Sequence, residues 1–123
     1  GSIIAKRKMK PLLPSLRERK RYLVYEIISN GPIQDTKTVS KTFWSAFNRY
    51  LGELGCSQAG IMILEDKYNK QNQRGVIRVN NKFVDKIIAN LALIDNIDNQ
   101  KTIVNTVGVS GTLKKAQGKY IAA

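Results

Sequence analysis

Residues 60–94 read GIMILEDKYNKQNQRGVIRVNNKFVDKIIANLALI, and the order of patterns within this stretch decides the fold. Gly60 to Asp66 is a run of apolar residues ending in two carboxylates, and it reads as a strand. Lys67 to Arg74 (KYNKQNQR) is polar throughout and suits a hairpin connection. Gly75 to Asn80 (GVIRVN) reads as a second strand. Asn80 or Asn81 can cap a following helix, because a short amide side chain satisfies backbone N–H groups that have no partner in the first turn. Over Lys82 to Ile94, the apolar Val84, Ile87, Ile88 and Leu91 recur at helical spacing and give one apolar side.

Working outward, Tyr22 to Ser29 (YLVYEIIS) is rich in β-branched and aromatic residues and reads as a strand, ended by the turn chemistry of Asn30-Gly31-Pro32. A helix follows, with Asp35 or Thr36 as its N-cap. Val39, Phe43, Ala46, Phe47, Tyr50, Leu51 and Leu54 then fall on one helical face, and Gly55 stands where a terminating glycine is expected. Past the central stretch, Asp95 to Gln100 is a loop and Lys101 to Val109 a strand. Leu113, Ala116 and Tyr120 suggest a short basic helix opened near Ser110. The order β-α-β-β-α-β predicts an α+β, ferredoxin-like (RNA-recognition-like) sandwich. It has a four-stranded antiparallel sheet, two helices on one face and extra terminal helices. Such a fold hosts many functions, so the site has to be argued separately.

Composition narrows the field. The 123 residues carry 21 Lys+Arg against 9 Asp+Glu, a formal net charge of +12, with 42% hydrophobic residues. That is enough apolar material for one packed domain. The apolar runs are far shorter than the ~20 residues a membrane helix needs. The single cysteine, Cys56, cannot form an internal disulfide, and the absence of histidine removes the usual general base and the commonest transition-metal ligand. Both points speak against a self-contained hydrolase and for a basic binding module. The charge sits at the ends. Residues 1–22 hold eight basic residues and one acidic, residues 23–109 hold ten and eight, and residues 110–123 add three lysines. Cationic ends on a balanced body suggest a polyanion partner, either nucleic acid or an anionic surface. Gly1-Ser2 reads as the remnant of a cleavage site and Met9 as a native start. Residues 1–9 are therefore expected to be an added or disordered tail, and residues 10–123 a single domain.

Several residues are candidates for chemistry. Arg17, Arg19, Lys20 and Arg21 precede the first strand and suit phosphate contact, arginine offering bidentate geometry, or else form a solvated basic turn. Ser110-Gly111-Thr112-Leu113-Lys114-Lys115 is a small-residue turn entering a helix. It is either an anion-binding helix start or an ordinary N-cap. A base-stacking sheet displays aromatics on its central strands. Here the third strand has none, and Tyr22 and Tyr25 point to opposite faces, so at most one can lie on an open face. The second strand is apolar on both sides, with Ile61 and Ile63 against Met62 and Leu64, and needs a second cover from a terminal helix or a partner protein. Tyr68, in the expected hairpin loop, is a candidate contact. Trp44 reads as core edge and Cys56 as a small buried residue. Glu65-Asp66 reads as a solvent-facing strand end.

Taken together, Leu13-Pro14-Ser15-Leu16-Arg17-Glu18-Arg19-Lys20-Arg21-Tyr22-Leu23-Val24-Tyr25-Glu26-Ile27, Leu51-Gly52-Glu53-Leu54-Gly55, Gly75-Val76-Ile77-Arg78-Val79 and Gly108-Val109-Ser110-Gly111-Thr112-Leu113-Lys114 resemble archaeal ribonuclease P protein component 2. The resemblance spans roughly residues 10–120. It implies a noncatalytic, cytoplasmic protein subunit of a ribonucleoprotein whose RNA removes the 5′ leader of precursor tRNA. Magnesium is then expected on the RNA, with no cofactor bound by the protein. The implied partners are ribonuclease P RNA, precursor tRNA in the holoenzyme and the TIM-barrel-like protein component 3, with self-association in a heterotetramer and no membrane. By the resemblance, Arg17, Lys20, Arg21, Arg78, Gly108, Ser110, Gly111, Thr112 and Lys114 match the family's motifs, and the arginines and lysines among them would position RNA phosphates, with Ser110, Gly111 and Thr112 in the same RNA-binding site. Charge reasoning adds Arg19, Lys115 and Lys119. Met62, Leu64 and Tyr68 are the candidates for the protein partner. Two rivals stand beside this reading. One is a small metal-dependent nuclease using Glu65, Asp66 or Asp85, and the other is a dimeric ligand-sensing module.

Overall fold

The computed structural model describes residues 19–122. The expected tail, any N-terminal helix and Arg17 lie outside the described residues. The elements are β1 (Lys20–Ser29), α1 (Thr36–Ala59), β2 (Met62–Asn69), β3 (Arg74–Asn80), a single 3-10 turn (Asn81–Phe83), α2 (Val84–Ala92), β4 (Asn96–Ile97), β5 (Gln100–Ser110) and α3 (Leu113–Ala116). The last continues as a π-helical turn over Gln117–Ile121. The molecule is α+β, with an antiparallel sheet in the order β2-β3-β1-β5-β4. The four expected strands are present, and the sheet gains a fifth in β4, whose two residues pair with Gln100 and Lys101. Asp98 and Asn99, both at positive φ, turn the chain between β4 and β5. Such φ values suit Asp and Asn.

Helix α1 starts where its chemistry places it. Asp35 Oδ1 accepts from the Lys37 N–H at 3.0 Å, and Thr38 Oγ1 donates to Asp35 Oδ2 at 2.9 Å. These hydrogen bonds, that from Thr38 first, hold the Asp35 carboxyl below its ordinary value. The expected stop at Gly55 is corrected, since the helix runs to Ala59 and ends on Gly60 at φ 60. The interruption falls instead at Gly52, with φ 74 and ψ 173, a conformation essentially reserved for glycine. The expected apolar face is also corrected. Val39, Phe43 and Phe47 are buried, but Tyr50 is 49% exposed at the end of the first stretch, and Leu54 is 71% exposed because the helical phase restarts after Gly52.

The sheet has two unequal covers. Leu23, Tyr25, Ile27, Ile77 and Val79 face the main core, where they meet Val39, Phe43 and Phe47 of α1 and Ile87 and Leu91 of α2. On the opposite face, Val24 and Val76 pack with Ala116 and Ile121, flanked by Tyr22, Leu64, Val107, Leu113 and Tyr120. The C-terminal segment thus supplies the second cover that the doubly apolar β2 required. Its end is fastened by Arg74 Nη1, which donates to the Tyr120 carbonyl at 2.8 Å, and by Asn72 Nδ2, which donates to the Ile121 carbonyl at 2.9 Å. The Tyr120 ring lies over Gly108, where a Cβ would overlap it. A register shift between Val24 and Tyr25 leaves Val107 as the extra residue of β5. It returns the following residues to the phase that puts Gly108 beneath the tyrosine.

Candidate nucleic-acid interface

The C-terminal segment covers the sheet from the Val24–Val76 row onward and leaves the row before it half covered, with Tyr22 packed against the edge of that cluster. Across that row, the register aligns Met62 with Arg78, Arg78 with Tyr22, and Tyr22 with Ser110. Met62 is 44% exposed, and the other three are half-buried. Of the basic residues expected from sequence, Lys20, Arg21 and Arg78 lie at this end of the sheet. Arg21 also approaches the C-terminal turn, since a Cβ at Gly111 would sit 3.3 Å from its Nη1. The fold therefore joins the basic opening of the chain to its closing motif, about ninety residues later in sequence.

The individual positions differ in character. Lys20 Nζ donates to Asn80 Oδ1 at 2.6 Å, and Asn80 Nδ2 donates to the Gln58 carbonyl at 2.7 Å, so Lys20 also ties β1 to the end of α1. Arg19 is exposed, and its carbonyl accepts from the Asn81 N–H at 2.8 Å. Arg78 Nε is shielded from solvent and has no hydrogen-bond partner among the described residues. Thr112 Oγ1 accepts from the Lys115 N–H at 3.2 Å, which makes Thr112 the N-cap of α3. Lys114, Lys115 and Lys119 are exposed along this segment, with Lys119 on its π-helical turn.

The residues considered for a protein partner are scattered. Met62 is exposed, but Leu64 is half-buried beside the C-terminal cluster. The surface position expected for Tyr68 is corrected. It lies within β2, not in the turn, and its hydroxyl donates to the Ile33 carbonyl at 2.7 Å while its ring stacks on Tyr25 at 6.4 Å. Its phenol pKa is pushed up to about 12 by burial. Trp44 sits at the core edge, packed edge-on against Phe47 at 5.9 Å. Burial raises the Cys56 thiol pKa, which disfavours the thiolate a nucleophile needs. Glu65, Asp66 and Asp85 are all exposed, and Asp66 pairs with Lys67 at 3.6 Å. Among the described residues, no three His, Cys, Asp or Glu gather into a potential metal cluster. A cleft of about 650 Å³ lined by Thr42, Arg49, Tyr50, Leu93 and Asp95 opens on the helical side. It holds none of the predicted site residues. Tyr22 was absent from the sequence-predicted site, although the alternation Lys20, Tyr22 places it in phase with the basic residues.

Fold and site together define the class: a small α+β domain whose second sheet face is half closed by its own C-terminal segment and cationic where it stays open. Residues 21–121 match the model of the Rpp14/Pop5 family. The chain is similar to proteins named ribonuclease P protein component 2. Identity is 34% with that of Pyrococcus furiosus, over 92% of both chains. It is 35% with that of Thermococcus gammatolerans, over 94% of this chain and 93% of the relative. The Methanosarcina mazei relative is 35% identical over 92% and 93%. A chain in the cryo-EM structure of yeast ribonuclease MRP shares the fold, with a TM-score of 0.59 and 18% identity over 78% of this chain and 76% of that one. The chain belongs to the Rpp14/Pop5 family.

Proposed function

We propose that this chain is a noncatalytic protein subunit of ribonuclease P that binds and stabilises the RNA which removes the 5′ leader from precursor tRNA. The observation that carries this reading is the match, along nearly the whole chain, to relatives bearing the component 2 name. Net charge supports it, because a +12 chain of this size attracts polyphosphate strongly. The strand order supports a ferredoxin-like frame of β1, β2, β3 and β5 to which β4 is added. In this reading Arg17, Arg19, Lys20, Arg21, Arg78, Lys114, Lys115 and Lys119 lower phosphate repulsion, and Ser110, Gly111 and Thr112 shape the turn that presents the lysines. Magnesium belongs to the RNA and the setting is cytoplasmic. Ribonuclease P RNA, precursor tRNA and the TIM-barrel-like component 3 are the partners. Self-association within a heterotetramer belongs to the same reading.

The test is precursor-tRNA cleavage at limiting magnesium, with the cognate RNA and component 3, in the presence and absence of this chain. Leader removal should require the RNA and accelerate on adding the chain. Cleavage by the chain and magnesium without RNA would establish the nuclease instead. No effect at all would favour the dimeric sensing module.

A further inference from the structure

We propose that Tyr22, with Arg78 and Met62 beside it, is a stacking site for one unpaired RNA base. The inference rests on the RNA-binding reading above and gives it a mode. The register places the Tyr22 ring directly across from the Arg78 side chain, and Met62 beyond Arg78 on the same face. Directly opposed side chains on an antiparallel sheet stand about 5 Å apart, so ring, guanidinium and thioether form one narrow shelf. The shelf is walled on one side, because Ala116 and Ile121 cover Val24 and Val76 in the adjoining row, and Tyr22 packs against that cluster and leaves part of its ring exposed. It also has an end wall, since Thr112 and Leu113 begin the segment that closes the rest of the face.

Charge then selects the occupant. The row neighbours of Arg78 are Met62 and Tyr22, neither of them a carboxylate, and Arg78 forms no ion pair among the described residues. The next pairing down the strands holds the Arg21 backbone, whose guanidinium reaches Gly111. An aromatic surface flanked by arginines suits a base with its attached phosphate, and stacking tolerates any base because each has a π-face. A duplex keeps its bases stacked inward and would reach only the charges. The shelf holds one base, since the C-terminal segment covers the sheet beyond it. The other tyrosine of β1, Tyr25, faces the main core. This explains how a sheet without the usual aromatic platform can still take a base.

The experiment measures binding of the full chain to a single-stranded ribo-oligonucleotide and to an RNA duplex, as a function of salt. Tyr22→Leu should weaken single-strand binding about tenfold, the scale of one lost base–aromatic stack, and leave duplex binding and the salt slope unchanged. Tyr22→Phe should bind as the wild type does. Arg78→Gln should weaken both RNAs and reduce the magnitude of the single-strand salt slope by roughly 0.7. A 5-iodouracil oligonucleotide photo-crosslinked to the unaltered chain should attach to the peptide carrying Tyr22, a readout that needs no variant. Unchanged single-strand affinity in Tyr22→Leu, or crosslinks confined to other peptides, overturns the stacking site while salt-dependent RNA binding persists. Salt-insensitive, weak binding of both RNAs by the unaltered chain overturns the RNA reading itself, and the stacking site with it.

Discussion

Gly75 lies beneath the Tyr25 ring, and Tyr25 is pinned there by Phe43 edge-on at 4.8 Å and by Tyr68 stacked at 6.4 Å. A methyl group at position 75 would overlap the Tyr25 phenol, and the buried ring has nowhere to go. Gly75→Ala should therefore lower stability by about 1–3 kcal/mol, the usual cost of overpacking. Adding Tyr25→Phe should return part of that loss, because the hydroxyl is the nearest obstacle. A urea-unfolding double-mutant cycle would show it, and strict additivity would refute the contact. Tyr68 gives a pH prediction. Its folded pKa is raised to about 12, whereas an unfolded tyrosine ionises near 10. The folded state thus holds the proton more tightly. Stability is full below about pH 10 and falls as pH rises through 12. Tyr25, raised by burial first and then by Tyr68 and Glu65, acts in the same direction. Tyr68→Phe should cost about 1 kcal/mol at neutral pH through the lost bond to Ile33, and it should flatten part of the alkaline decline.

Among the elements, α1 shows how a single residue redirects a helix. Apolar spacing alone carries the expected face through Leu54, and the structure exposes Leu54 because Gly52 breaks the helical phase. A Cβ at position 52 would meet nothing within 4 Å, so sterics with neighbours do not explain the glycine. Its backbone angles do. Gly52→Ala should destabilise by about 1–3 kcal/mol despite the open space, as measured by thermal unfolding. An unchanged midpoint would mean that the helix straightens without cost. At the other end of the chain, α3 and its π turn have few residues of their own to bury. Their position depends on Arg74 and Asn72 reaching their carbonyls, and on Tyr120 closing over Gly108.

At the scale of the molecule, charge and cover are arranged on opposite sides. The helices α1 and α2 bury one sheet face, and basic residues collect where the C-terminal segment leaves the other face open. Lys114→Ala combined with Lys115→Ala should reduce the magnitude of the log–log salt slope of RNA binding by roughly 1.5. Both side chains are exposed, so the unfolding free energy should stay within about 0.5 kcal/mol of its starting value. An unchanged slope would place the phosphate contacts elsewhere on the protein.

The sequence by itself determined the order of the main elements, the start of α1 at Asp35 or Thr36, the opposite facing of Tyr22 and Tyr25, and the cationic ends. Each of these follows from local periodicity, parity or count, so neighbouring residues suffice to specify it. The two-residue β4, the kink at Gly52 and the burial of Tyr68 left no such local signature. They depend on pairing with β5, on backbone angles, and on a carbonyl thirty-five residues away. Only the tertiary structure decided that α3 closes the second sheet face, that it stops one row short, and that Arg21 and Gly111 meet. Residues distant in the chain share a surface only through the strand register, which is set by packing across the whole sheet.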